Sequence, residues 1–442
     1  MRWQEKAFGP MRQRTMENAQ LHLLASRYDL GRKSRLGKAI IRRVNRVMDE
    51  EERRRGIKRI RTGELLLRTH RGLLTLPIRT EEDLDRLISG QRWDVVRRDI
   101  LARCENEYRK IFPKVRSHNM AAFLRGLFQG RSPRHSSQAS PWHGPRKQRP
   151  WDDEASQYTP AVITEKRPES SSQLRWVQAH ERDAITGLKH FLDNEVGIPR
   201  AIQEPMLLEL MALRTRFYPR LSAVSNGQMP LCAMHVDSGR SLWMPTNQQP
   251  LAPVVVSVLA GDEYQILRNQ PPENYEAYLD FHGRRIARVL TESYKQDGLL
   301  SFSELQWVFL LSQATVSRAV DFYQRKHQVI LPCPGTVLDM GKMLTHKDLI
   351  VRLHLQGYSV TQISRKTYHS PRSVDAYLKV FDSVLILHLY GLPPHLMSRA
   401  LRRGQYLVDE YLDLIQRYLK DVEHMRRYLK QRGVTINISY SG

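Results

Sequence analysis

Basic and hydroxyl side chains are concentrated in the stretch TQISRKTYHSPRSVDAYLKVF, residues 361–381. Arginine donates paired hydrogen bonds to guanine edges, and lysine, arginine and serine bind phosphate oxygens. Such side chains read duplex DNA when a helix carries them into the major groove. The candidate DNA contacts in this stretch are Arg365, Lys366, Ser370, Arg372, Ser373 and Lys379.

The spacing of apolar residues in the same stretch predicts the two helices that would position these side chains. A helix-turn-helix needs an apolar residue of its first helix to meet one of its second across a short turn. Ile363 and Val374, eleven residues apart, fit that requirement. Ser370 is a good N-cap, and Pro371 suits the first position of the second helix. We therefore predict a helix-turn-helix with its second helix beginning at Pro371.

The same spacing occurs twice more. Leu305 and Val316 repeat it upstream, with a serine again at the capping position, and Met397 and Val408 repeat it downstream. The second helix of the upstream copy offers further candidate DNA contacts, which are Gln313, Thr315, Ser317 and Arg318. The second helix of the downstream copy is acidic, so we interpret that copy as a packing or protein-contact module.

The rest of the chain predicts a mainly α, multidomain protein. The predicted parts are a basic helical region at 1–130, a disordered linker at 131–175, a mixed α/β middle region at 176–280, a winged-helix-like unit at 281–342, a second unit at 343–392 and a third at 393–442. In the middle region, Asp237–Arg240 reads as a hairpin turn between MPLCAMHV and SLWM, and Pro253–Ala260 as a third strand. VILPCPGTVLDMG, residues 329–341, has two β-prone runs that would form the wing.

The charge of the chain favours a polyanionic partner. The formal net charge is +24. Residues 1–150 carry 36 Lys and Arg against 16 Asp and Glu, residues 151–340 carry 18 against 22, and residues 341–442 carry 16 against 8. An excess of this kind attracts nucleic acid first and an anionic membrane second. The predicted contacts to the DNA backbone are Arg42, Arg43, Arg46, Arg53, Arg54 and Arg55.

Three widely spaced cysteines argue against a disulfide framework and a CxxC metal site. We expect double-stranded DNA as partner, a homo-oligomer as a possibility, a cytoplasmic, nucleoid-associated location, and no cofactor, metal, membrane or small-molecule ligand.

One enzymatic alternative uses the same residues. His369 and Arg372 form His-x-x-Arg, and His395 and Tyr406 follow in the order of a tyrosine recombinase. Arginines would stabilise the transition-state charge, and a histidine would act as acid or base. The residues fit the helix-turn-helix turn better, and no upstream arginine completes the set, so we expect a non-enzyme. A DNA-binding accessory protein of a mobile element and an RNA-binding protein remain open alternatives.

Several segments of the chain resemble the prokaryotic domain-of-unknown-function family 1670. They are ESYKQDGLLSFSEL, SQATVSRAV, LPCPGTVLDMG, THKDLIVRLHLQGYSVTQISRKTYHSPRSVDAYLKVFDSV and SRALRRGQYLVDEYLDL, within a resemblance that runs from about Leu251 to Tyr418. The resemblance implies a helix-turn-helix protein of the regulator type and supplies no activity or target. We therefore expect a sequence-specific transcriptional regulator.

Overall fold

The computed structural model describes residues 3–30, 35–69, 71–113, 182–241, 249–261, 263, 272–338 and 344–435. The described chain is mainly helical with two small antiparallel sheets, which confirms the predicted fold class at that level. It forms two compact units, residues 1–322 and residues 323–442. The predicted linker at 131–175 lies outside the described residues. Among the described residues, no helix is long and apolar enough to cross a lipid bilayer.

The first unit contains the helices that the basic N-terminal sequence predicts. The described helices up to the division between the units are α1 (Trp3–Arg12), α2 (Met16–Arg27), α3 (Arg35–Arg54), α4 (Glu81–Ile88), α5 (Trp93–Ile111), α6 (Arg182–Phe191), α7 (Arg200–Phe217), α8 (Tyr275–Tyr294), α9 (Phe302–Phe309) and α10 (Gln313–His327), within which the division falls. Apolar side chains of α3, among them Ile40, Ile41 and Val44, are buried in one cluster with residues of α2, α6 and α7. The apolar stripe of α3 is thus a core contact, and its arginines occupy the remaining faces.

The N-terminal region also contains a hairpin that the sequence does not predict. Strand β1 (Glu64–Thr69) pairs antiparallel with β2 (Gly72–Pro77), so that Leu65 lies opposite Leu76 and Leu67 opposite Leu74. The run of leucines fits a helix as well as a buried strand, and only the glycine near its centre signals the turn.

The second sheet has the strand order β4-β3-β5, formed by β3 (Gln228–His235), β4 (Leu251–Ser257) and β5 (Gly298–Leu299). The hairpin turn predicted at Asp237–Arg240 is wrong, because residues 236–241 form a 3₁₀ helix and β3 pairs directly with β4. Most of the strand predicted at SLWM lies outside the described residues. At Gly298 a Cβ atom would come within 2.5 Å of Cγ1 of Val254 and 2.9 Å of Cβ of Ala233, so only glycine fits this position.

The second unit continues the helical pattern. Its described helices beyond α10 are α11 (Pro334–Val337), α12 (Leu344–Leu355), α13 (Val360–Thr367), α14 (Pro371–Leu389), α15 (Pro394–Leu401), α16 (Gln405–Tyr418) and α17 (Val422–Gln431). The wing predicted at 329–341 is wrong over its described part, residues 329–338, where the short helix α11 replaces the β runs. The hydroxyl of Thr336 explains the helical turn: it accepts a hydrogen bond from the Cys333 amide (2.8 Å) and lies 2.9 Å from the carbonyl of Leu331.

Candidate nucleic-acid interface

Three pairs of helices in the chain share one backbone geometry. The first pair is α9 and α10, the second is α13 and α14, and the third is α15 and α16. In each pair the first helix has eight residues and the second begins eleven residues after the first begins. In each, the residue that ends the first helix is left-handed: Leu310 has φ 48°, Tyr368 φ 59° and Arg402 φ 50°. The three turns therefore have the same length and the same left-handed first residue, although only one of them contains a glycine.

In each pair, one apolar residue of the first helix and one of the second helix are buried. In the first pair Leu305 and Val316 are fully buried, and in the second Ile363 and Val374 are fully buried within one cluster. The matching residues of the third pair lie at 1% exposure in another cluster. The eleven-residue spacing in the sequence thus corresponds to buried positions in all three pairs.

Hydroxyl groups cap the second helix in two of the three pairs. The Oγ of Ser370 accepts a hydrogen bond from the amide of Ser373 (3.1 Å) and lies 2.8 Å from the Oγ of Ser373. Ser312 and Thr315 make the same two contacts, at 3.1 Å and 2.8 Å. These caps satisfy amides that the first turn of a helix leaves without an intrahelical partner. Ser370, Ser373 and Thr315, all predicted DNA contacts, thus have a structural role at the start of the helix.

The second pair presents all four of its predicted cations to solvent. Arg365 and Lys366 are exposed on α13, and Arg372 and Lys379 are exposed on α14. The ammonium of Lys366 lies 5.1 Å from the centre of the Tyr358 ring, and that of Lys379 lies 2.8 Å from Asp375 one turn earlier. The structure therefore brings these four cations to the first helix and the early turns of the second helix of one pair.

In the first pair, the first helix, α9, is buried by the surrounding protein. Every residue of α9 from Ser303 to Phe309 is buried. Trp307 packs edge-on against Phe8, at 6.5 Å between ring centres, and against Trp93, at 5.2 Å. Glu304 forms a buried ion pair with Arg14 (2.5 Å).

The start of α10 remains open. Gln313 and Arg318 are exposed, Thr315 and Ser317 are half-buried, and the guanidinium of Arg318 donates a hydrogen bond to the hydroxyl of Tyr275 (3.2 Å). Of the first pair, only this second helix is open to a partner.

The enclosure of α9 does not follow from the sequence. Besides the spacing of Leu305 and Val316, the sequence carries a capping box for this helix, in which Ser301 precedes Glu304 by three residues. That signal locates the helix start, but it does not show that the same carboxylate pairs with Arg14.

The second helix of the third pair carries the opposite charge. Asp409 and Asp413 are exposed, and Glu410 pairs with Lys347 (2.5 Å). Tyr406 is 68% exposed, and a hydrogen bond to Glu410 raises the pKa of its phenol. Tyr406 and Asp413 stand at the positions that Arg372 and Lys379 occupy in the second pair.

The basic helix α3 has a mixed surface. Arg42, Arg46 and Arg53 are exposed, whereas Arg54 and Arg55 pair with Glu51, and Arg54 holds the pKa of that carboxyl below its usual value. Arg43 packs over the ring of Phe191 beside a groove of about 250 Å³, which Arg42, Arg46 and Glu195 also line. Carboxylates among these arginines reduce the positive potential that phosphate would experience.

The recombinase residues occupy different settings. His369 is 3% exposed, its Nδ1 lies 2.8 Å from the carbonyl oxygen of Thr367, and its ring packs edge-on against Tyr377. Arg372 and Tyr406 are exposed on two different helices. His369 therefore contributes to the core of the turn in the second pair.

A family model for a protein of unknown function, DUF1670, matches residues 192–414, about half of the chain. The chain belongs to this family. The matched region of this DUF1670 member begins at Leu192, well before the resemblance read from the sequence, and it includes all of the first two helix pairs and most of the third. No curated protein and no solved structure matches the chain.

Proposed function

We propose that this DUF1670 protein binds duplex DNA in a sequence-specific manner and acts as a transcriptional regulator, with the second helix pair as its main reading element. The observation that carries the proposal is the exposure of Arg365, Lys366 and Arg372 on either side of the turn of that pair, with Lys379 exposed two helical turns further along α14. In a helix-turn-helix, the second helix enters the major groove and its N-terminal residues contact base edges. Arg372, the second residue of α14, occupies such a position.

Backbone geometry supports a rigid presentation of Arg372. The turn is fixed at both ends, by the left-handed Tyr368 before it and by the Ser370 cap after it. Behind it, Val374 is fully buried against the same cluster as Ile363. A guanidinium held on a rigid helix start loses less entropy on forming paired hydrogen bonds to guanine or phosphate than one on a loop.

The three pairs differ in how well they suit the role. The second helix of the third pair presents Asp409 and Asp413, which phosphate would repel. In the first pair α10 presents Gln313 and Arg318, but α9 is enclosed by protein. We therefore assign base reading to the second pair, assistance to α10, and phosphate contacts to the exposed arginines of α3.

The experiment is a capture of genomic DNA fragments by the tagged full chain, followed by fluorescence anisotropy on the enriched sequence. The test variant is Arg365→Ala, Arg372→Ala, and the matched control is Lys420→Ala, Arg427→Ala, which removes two exposed charges elsewhere in the second unit. A base-contacting arginine contributes about 1–3 kcal/mol, so the test variant should lose at least about tenfold in affinity. The affinity of the control variant should stay within about threefold of that of the wild type, because charges distant from the bound phosphates attract them only weakly.

Two results would overturn the proposal. One is equal capture of the same DNA fragments by the test variant and by the control variant. The other is preferential displacement of bound DNA by structured RNA, which would move the protein to the RNA-binding class. A third variant, Arg53→Ala, should weaken binding to all sequences alike and lower the slope of log affinity against log salt by about one for each phosphate that is no longer neutralised.

A further inference from the structure

The third helix pair exposes side chains of both charge signs. Arg399, Arg402 and Arg403 are exposed on α15 and the turn after it, and Asp409 and Asp413 are exposed on α16. None of these five side chains forms an ion pair with any residue that the structure describes. On the same helix Glu410 pairs with Lys347, and elsewhere in the second unit Asp348 and Asp382 each have a cationic partner. This surface therefore combines unpaired charges of both signs.

Large apolar groups accompany these charges. Tyr406 is 68% exposed and lies between the arginines of the turn and the two aspartates in the sequence. Leu396, on α15, is 42% exposed. Tyrosine, arginine and exposed leucine in one place are typical of the centre of a protein–protein interface, whereas a solvated helix surface rarely exposes a whole tyrosine ring.

We propose that this surface, Leu396, Arg399, Arg402, Arg403, Tyr406, Asp409 and Asp413, binds a second copy of the same chain in a two-fold arrangement. The argument is self-complementarity. Its arginines precede the second helix and its aspartates lie along it, so a two-fold axis near Tyr406 places Arg402 and Arg403 of each copy against the partner's Asp409 and Asp413. An isologous contact of this kind pairs four of the five unpaired charges of each copy and covers both tyrosine rings. A nucleic acid would satisfy only the arginines, and a purely acidic or purely basic protein would satisfy only one half.

The dimer does not depend on DNA binding. Where the proposed function also holds, the dimer places two copies of α14 in a two-fold relation, so the bound sequence is an inverted repeat. Failure of DNA binding would leave the dimer intact, and failure of the dimer would leave monomeric DNA binding measurable. The two proposals are therefore separable by measuring self-association without DNA.

Sedimentation equilibrium of the full chain, with charge reversal and mixing, tests the dimer. One variant is Arg402→Asp, Arg403→Asp, and the other is Asp409→Arg, Asp413→Arg. Each alone juxtaposes like charges twice across the two-fold axis, so its dimer dissociation constant should rise at least about 100-fold. Mixed in equal amounts, the two variants should form a heterodimer close to wild type in affinity, since every like-charge contact becomes an attractive one.

The matched control is Lys420→Asp, Arg427→Asp, which makes the same charge change on exposed residues outside the surface and should leave the dimer unchanged. The mixing step also excludes misfolding as the cause of dissociation, because a misfolded variant would not be rescued by its opposite. A monomeric wild type, a dimer that survives both reversals, or reversals that mixing does not rescue would each overturn the proposal.

Discussion

The first and second helix pairs have the same turn and different surroundings. The sixth residue of the first helix is Trp307 in one and Arg365 in the other. Trp307 is buried among aromatic rings of α1 and α5, whereas Arg365 is exposed. The backbone geometry is therefore set by the buried contact between the two helices and by the capped turn, while the outward residues decide whether the pair becomes part of a core or a surface.

The largest expected effect separates these two roles. Trp307→Ala should destabilise the first unit by about 3–5 kcal/mol, because it removes a buried ring and leaves a cavity against Phe8 and Trp93. Arg365→Ala should change stability by less than about 0.5 kcal/mol, since its side chain is exposed. Urea unfolding, monitored by hydrogen exchange so that the two units are resolved, measures the stability change of both variants. Similar losses of stability in the two variants would show that Trp307 and Arg365 do not differ in burial as the structure describes.

The sequence predicts the part of this comparison that is local. The spacing of Ile363 and Val374 and the cap at Ser370 come from interactions within a few turns of the chain. The helices predicted around these residues are present in the structure.

The sequence does not predict the part that depends on distant segments. The burial of Trp307 needs Phe8 and Trp93, which are far away along the chain, and no periodicity connects them. The wing prediction is wrong for a related reason: Thr336 offers hydrogen bonds that stabilise a helical turn where β-prone residues suggest strands. The side-chain caps likewise show that Ser370 and Ser373, predicted as DNA contacts for their hydroxyls, make hydrogen bonds to each other.

The turn residues with left-handed backbone conformation, Leu310 and Tyr368, give a second and smaller contrast between the first two pairs. A non-glycine residue in this conformation is strained by roughly 1–2 kcal/mol, which a glycine relieves. Leu310→Gly should nevertheless destabilise the first unit by about 2 kcal/mol, because Leu310 is fully buried and its burial outweighs the strain. Tyr368→Gly should change the stability of the second unit by less than about 1 kcal/mol, because Tyr368 is half-buried and the two effects nearly cancel. Thermal unfolding of both variants measures the difference, and equal losses would contradict it.

A gain of charge tests whether the first pair also faces DNA. Ala314 is exposed and stands at the position that Arg372 occupies in the second pair. Ala314→Arg should raise the affinity for DNA several-fold at low salt. It should also steepen the slope of log affinity against log salt by about one, as a new phosphate contact would. The control Gln431→Arg adds the same charge on α17 and should have little effect. Unchanged affinity for both would restrict the proposed DNA binding to the second pair.

The helices that precede the two pairs differ in their response to acid, which gives the smallest expected effect. On α8, Arg285 packs between the rings of Phe281 and Phe309, and burial lowers its pKa to about 10, so it remains charged at every pH below neutrality. On α12, burial and then the nearby Arg432 lower the pKa of His354, while Asp382 opposes the shift. The side chain of His354 packs edge-on against Tyr428, which is hydrogen-bonded to Asp382 (2.7 Å).

The pKa of His354 therefore makes the stability of the second unit depend on pH. In the unfolded chain the imidazole takes up its proton near pH 6.5, before the folded protein does. Between pH 6.5 and the lower folded pKa the unfolded state binds more protons, so the free energy of unfolding falls as the pH falls and then levels off below the folded pKa. His354→Phe removes this titration and should flatten that part of the profile in the second unit, while the first unit is unaffected. A profile that stays equally steep in the variant would assign the acid response to other groups, such as the carboxylates, whose protonation belongs to lower pH.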